Sequence, residues 1–175
     1  VHQVFSQQTT EQGNVGTLTG PPFFAALATV VGIDNLAVQG VTYPASVQGF
    51  LAGGDANGSK LMAQLVGQAQ TNCPNTKVVI SGYSQGGQLV HNAANMLNAS
   101  TAAAVSSVVI FGDPNNGTAV AGVSAAKTLV ICHTGDNICQ HGDQVLQPHL
   151  TYSQNATEAA NFVAKAAGML NSTKA

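Results

Sequence analysis

Apolar and polar positions alternate in blocks along this chain. Short β-rich runs stand at residues 1–6, 36–43, 77–81, 105–111 and 128–133, and amphipathic helical patterns fill residues 21–31, 59–70, 87–97 and 156–170. The runs VVIS (78–81) and SSVVIF (106–111) are apolar apart from their serines, as in strands covered on both faces. Strands alternating with helices of this length predict β-α-β units and a parallel sheet. Such crossovers are right-handed, so helices should lie on both faces. The expected fold is α/β: a three-layer α/β/α sandwich around a central, mainly parallel sheet of about five strands. Neither a repeat nor a linker interrupts the pattern, so residues 1–175 are read as a single domain. Pro21 and Pro22 suit the first turn of their helix, where missing N–H groups do no harm.

Composition narrows the chemistry. Hydrophobic residues make up 45% of the chain, too many for disorder, and no apolar run reaches the length of a membrane span. Charged residues are only 7%, with five lysines and no arginine. Arginine's planar fork is the usual clamp for carboxylate and phosphate, so a neutral substrate is expected. A net charge of −2 without a basic cluster argues against nucleic acid. Cys132 and Cys139 are close enough in sequence to bridge a short loop, which would indicate an oxidising compartment. Sequons beginning at Asn57, Asn98, Asn116, Asn155 and Asn171 point the same way, to a secreted protein. Asn155 also reads as a helix N-cap, with Glu158 as its reciprocal partner in a capping box.

Ligands of parallel sheets gather at the carboxyl ends of the strands, where residues 82–86, 112–116 and 133–136 fall. The first of these, Gly82-Tyr83-Ser84-Gln85-Gly86, fits G-x-S-x-G with a strand before it and a helix after. A serine on so sharp a turn needs small neighbours, and the Gln85 N–H at the helix start is placed to hold an oxyanion. The plainer alternative is an ordinary strand-to-helix turn that happens to contain a serine.

A serine nucleophile needs a base oriented by an acid. In hydrolases of this architecture the chain order is serine, acid, histidine. That order admits His133, His141 or His149 as base and Asp113, Asp136 or Asp143 as acid, while His91, on the helix after the turn, should point away. The loop CHTGDNIC favours Asp136, because a Cys132–Cys139 bridge would fix a carboxylate that must hold an imidazole in one tautomer. Asp113 reads equally well as a turn former and Asp143 as an exposed loop residue. No spacing of His and Cys suggests a metal site.

The motifs GYSQGGQ, CHTGDNIC and PHLTY, in this order, resemble the fungal cutinases, as do TTEQGNVGTLTGPPFF and VQGVTYPAS nearer the N-terminus. The resemblance runs from about Val4 to the terminal helix. It implies a secreted, lidless α/β-hydrolase, free of cofactors, that cleaves esters of hydroxy fatty acids in cutin, soluble acyl esters and synthetic polyesters. By position it makes Ser84 the nucleophile, Asp136 the acid and His149 the base. It pairs the Gln85 N–H with the Thr9 hydroxyl as the oxyanion hole. The family's R-G-S/T-T-E segment stands here as Gln7-Gln8-Thr9-Thr10-Glu11, so glycine's backbone freedom is lost and a change in loop geometry is expected. The family partner of Cys73 would fall ahead of Val1, so the resemblance implies either a chain trimmed there or an unpaired Cys73. Tyr43, Val145 and Leu146 are expected to form an apolar rim for an insoluble polyester. Activity should rise as pH passes about 6 to 7, as an unperturbed histidine base requires. The enzyme is expected to be a monomer without stable membrane insertion. The alternatives are an acetylxylan esterase of the same broad family and a non-catalytic surface protein that keeps the fold.

Overall fold

The computed structural model describes residues 1–170. Strands β1 (His2–Ser6), β2 (Ala37–Gly40), β3 (Val78–Tyr83), β4 (Ser107–Phe111) and β5 (Thr128–Ile131) form one five-stranded sheet in the order β2-β1-β3-β4-β5. Every pairing is parallel. The helices are α1 (Gly20–Val31), α2 (Val47–Leu51), α3 (Ala56–Asn72), α4 (Gln85–Met96), α5 (Ala99–Ala104) and α6 (Ala156–Ala166).

Successive strand residues face opposite sides, and the central strands are apolar on both. Val78, Ile80, Val108 and Ile110 join Val4, Met62, Val66, Leu89 and Val90 beneath α3 and α4. Val79, Val109 and Phe111 join Phe5, Phe23, Leu27 and Val163 beneath α1 and α6. Each large apolar side chain so buried contributes about 1.5–3 kcal/mol. The three-layer α/β/α arrangement expected from the pattern is the one observed. Pro21 and Pro22 occupy the first turn of α1.

The order of the strands locates the site. From β1 the chain moves outward to β2, then returns across β1 to lay down β3 on its other side. The carboxyl ends of β1 and β3 therefore flank a switch in strand order, where crevices form in such sheets. Residues 7–11 leave one end, and Ser84 stands at the other.

Several boundaries differ from the expected ones. The run at 36–43 forms strand only over Ala37–Gly40, because Gly40 pairs with Phe5 near the end of β1 and the chain then turns away. Strand β3 runs past Ser81 to Tyr83, since Gly82 and Tyr83 pair with Ile110 and Phe111. Strand β5 stops at Ile131, opposite the last residue of β4. Helices α2 and α5 were not expected. Both are too short to show a helical period, and each starts from a side-chain cap, Ser46 onto the Gly49 N–H and Asn98 onto the Thr101 N–H.

Cys132 and Cys139 are joined in a disulfide, as their spacing suggested. Cys73 carries a free thiol and lines a hollow with Val1 and His2, at the amino end of β1. The expected capping box at Asn155 is not formed. Its side-chain oxygen faces His133 instead, at 2.7 Å, while its amide donates to Glu158 at 2.8 Å. Asn98 caps α5 and Asn116 donates to the Cys139 carbonyl, so three sequon asparagines carry structural bonds. Asn57 is exposed within α3, and the sequon at Asn171 lies outside the described residues.

Candidate active site

Ser84 links β3 directly to α4, with φ 58° and ψ −119°. A non-glycine residue there carries roughly 1–3 kcal/mol of strain, held in place by its surroundings. Its N–H donates to the Phe111 carbonyl at 2.9 Å, and its own carbonyl accepts from the Gly87 N–H at 2.7 Å. The flanking glycines are required by contact. A Cβ on Gly82 would lie 2.2 Å from the Gly86 oxygen, and one on Gly86 would lie 2.1 Å from the Ser6 oxygen. The backbones of β1, the turn and α4 thus touch, and the serine is left at the floor of a cleft of about 250 Å³. Gln8, Thr9, Thr10, Val47, Phe50 and Val145 are among its walls.

Asp136 is completely buried within the disulfide loop. Its Oδ2 accepts from His149 Nδ1 at 2.8 Å and from the Tyr152 hydroxyl at 2.5 Å, and its Oδ1 accepts from the Ile138 N–H at 3.0 Å. His149 is equally buried, in a 3-10 turn at Gln147–Leu150. The Tyr83 hydroxyl donates to the His149 carbonyl at 2.6 Å, which ties the histidine to the residue before the serine. Gly112, at φ 58°, makes room for the ring: a Cβ there would sit 2.7 Å from His149 Cε1. The ring therefore lies against both strand ends that hold Ser84, and its Nε2 is buried with no hydrogen-bond partner. Burial pushes the His149 pKa below its ordinary 6.5, overriding the opposing hydrogen bond and charge of Asp136. The resting imidazole is thus neutral, oriented through Nδ1 and free to accept a proton at Nε2.

Tyr152 had no assigned role in the sequence reading beyond its place in PHLTY. Burial raises its pKa, so its hydroxyl stays protonated and remains a donor to Asp136.

The loop after β1 differs from expectation. Neither Gln7 nor Gln8 has a positive φ; the left-handed turn is made by Thr10, at φ 66°. Glycine's freedom is therefore not needed at position 8. Gln7 instead builds the loop, its Nε2 donating to the Glu11 carbonyl at 2.7 Å and its Oε1 accepting from the Gly16 N–H at 2.9 Å. Thr9 Oγ1 accepts from Gln85 Nε2 at 2.9 Å, and the same amide reaches the Ser46 carbonyl at 2.9 Å. Thr9 and Gln85 are thereby brought together at the Ser84 turn.

The expected rim needs one correction. Tyr43 is buried, with its hydroxyl donating to the Gln7 carbonyl, so it supports the loop from beneath and takes no place on the rim. Val145 and Leu146 are exposed, and Val145 lines the cleft. Ile138 of the disulfide loop and Val47 and Phe50 of α2 complete the apolar wall; the latter two were missed because α2 was not foreseen. His91 points away, into a buried pair with Asp113 at 2.8 Å. His141 is bonded to the Pro114 carbonyl at 2.9 Å, and Asp143 is an exposed residue at the edge of the cleft. Among the described residues no cluster of His, Cys, Asp or Glu could hold a metal ion, and no helix is long and apolar enough to cross a membrane.

Sheet, strained serine and oriented imidazole define a serine carboxylic ester hydrolase of the α/β-hydrolase kind. The family model described as Cutinase matches residues 1–167, and the chain belongs to that family. It is 58% identical to a cutinase of Botryotinia fuckeliana over 166 residues, 95% of this chain and 82% of that one. The structure of Trichoderma reesei cutinase in complex with a phosphonate inhibitor superposes with a TM-score of 0.92 at 51% identity, covering 95% of this chain and 76% of that one. An acetyl xylan esterase shares the fold at a TM-score of 0.73 and 24% identity, covering 95% of this chain and 98% of that one.

Proposed function

We propose that this chain is a secreted cutinase, acting as one domain on the ester bonds of cutin, other polyesters and short- to medium-chain acyl esters. Ser84 Oγ attacks the carbonyl as His149 Nε2 takes its proton. His149 passes that proton to the departing alcohol as the acyl-enzyme forms. Water then attacks the acyl carbonyl, giving one proton to His149, which delivers it to Ser84 Oγ as the carboxylic acid leaves. Asp136 remains ionised throughout and stabilises the imidazolium. The Gln85 N–H and the Thr9 hydroxyl donate to the developing oxyanion. The observation that carries this reading is the buried His149, held by Asp136 on one nitrogen and unpartnered on the other, against the strand ends that present Ser84.

Substrate class is supported by the surroundings. Val47 and Leu51 on α2 and Val145 and Leu146 ahead of the His149 turn are all exposed, and Val47 and Val145 line the cleft, an apolar surface suited to a polymer. The disulfide supports an oxidising, extracellular setting. The test is hydrolysis of p-nitrophenyl acetate, butyrate and palmitate beside insoluble cutin. Butyrate and cutin are expected to be cleaved; activity confined to acetate would move the reading to a carbohydrate esterase.

The pH dependence follows from the base. Only neutral His149 accepts the serine proton, and its pKa lies below 6.5 in the folded enzyme. The kcat/KM profile should therefore hold its plateau above that value and fall only at lower pH, with an acid midpoint below 6.5. A midpoint at or above 6.5 would contradict the assignment of the buried His149 as the base.

A further inference from the structure

A second imidazole stands between the two loops that carry acid and base. His133 follows Cys132, and its ring stacks on Tyr152 with centroids 4.1 Å apart. Its backbone N–H donates to the Tyr152 oxygen at 3.0 Å, and that phenol in turn donates to Asp136. Ring Nδ1 lies 2.8 Å from the Pro148 carbonyl and 3.0 Å from Thr151 Oγ1, and Nε2 lies 2.7 Å from Asn155 Oδ1. A carbonyl oxygen only accepts, so Nδ1 carries a proton. Pro148 immediately precedes His149, and Thr151 hydrogen-bonds the same Pro148 carbonyl at 3.1 Å. The ring thus grips the base-bearing turn close to the base, while its own residue leads into the acid loop.

We propose that His133 is a positioning residue that clamps the loop bearing His149 to the loop bearing Asp136. The proposal rests on the catalytic reading above. The 2.8 Å bond between His149 and Asp136 spans two separate loops, and only a fixed spacing between them keeps the imidazole in the productive orientation. Charge enters as well. The titratable and charged groups around His133 are Tyr152, stacked on its ring, Asp136 through the Tyr152 hydroxyl, Glu158 through Asn155, and His149, on which its charge acts. With Asn155 oriented by Glu158, both ring nitrogens face oxygen. Burial is the main cause of the low His149 pKa, and the Coulombic influence of His133 acts in the same direction.

Two variants separate clamp from charge. His133→Phe keeps a flat ring on Tyr152 but removes both N–H donors. It should lower kcat about tenfold with KM unchanged, and move the acid limb of kcat/KM to higher pH. His133→Asn keeps a donor toward the Pro148 carbonyl without a charge. It should recover most of the kcat while retaining the shifted limb. Asn155→Leu, which leaves His133 in place and removes the Nε2 acceptor, should lower kcat in the same direction by a smaller factor, and it carries the test if His133→Phe does not fold. Folded variants with wild-type kcat and an unmoved acid limb would overturn the proposal, since a ring that merely fills space is replaced by phenylalanine without loss. Wild-type protein inert on every ester would instead overturn the proposed function, so the two failures are distinct.

Discussion

Ser84→Ala should lower kcat on p-nitrophenyl butyrate about a million-fold, the loss typical when the nucleophile of a serine hydrolase is removed. The fold should be untouched, because the turn is held by its backbone. The Ser84 N–H to the Phe111 carbonyl and the Gly87 N–H to the Ser84 carbonyl do not involve the hydroxyl. Alanine inherits the same left-handed φ of 58°, so the strain is neither relieved nor increased. Thermal unfolding within a degree or two of wild type, beside lost turnover, would separate a chemical role from a structural one. A serine-directed phosphonate should label wild type at Ser84 and leave the variant unlabelled. Equal turnover in the two proteins would remove Ser84 from the mechanism.

Asp136→Asn should lower kcat about ten-thousand-fold, through the tautomer of its neighbour. The carboxylate accepts three hydrogen bonds, from His149 Nδ1, the Tyr152 hydroxyl and the Ile138 N–H. An amide has only one oxygen, so its NH₂ must turn toward one side of this set. Turned toward His149, the NH₂ donates to Nδ1 and moves the imidazole proton to Nε2, where it blocks uptake of the serine proton. Turned the other way, it opposes the Ile138 N–H, at a cost of about 1–3 kcal/mol. The measurement is kcat and KM together: KM near wild type with a collapsed kcat is expected. A fall of less than about tenfold would assign orientation of His149 to other groups, with Tyr152 and His133 the first to examine.

Most of the fold was legible because β3 and β4 are apolar on both faces and bracket the Ser84 turn. Their composition alone placed the serine at a strand's carboxyl end. Asp136 was readable from its place between two cysteines that a short loop could join. His149 was not separable from His133 and His141 by spacing, and only the resemblance chose among them. What selects it physically is burial, the space at Gly112 and the Tyr83 bond to its carbonyl, all contacts between segments far apart in sequence. Tyr43 misled for the same reason. A tyrosine beside a proline in a polar loop reads as exposed, yet its hydroxyl meets the Gln7 carbonyl under the opposite loop. A change in loop geometry was expected from glycine's loss at position 8 because sequence does not reveal that Thr10 makes the left-handed turn.

The strand order has a consequence for how the molecule is made. The cleft draws Thr9 from the first loop and Ser84 from mid-chain, the bonded pair Asp136 and His149 comes from the last third, and α6 then closes over Phe23 and Phe111. A nascent chain emerging from the ribosome can display its serine turn long before any base exists to activate it. Until α6 is released, α1 alone covers that face of the sheet, and contacts of such long sequence separation form slowly. On the proposed mechanism, an esterase built in this order is silent during its own synthesis and becomes competent only once His149 and α6 are free to fold.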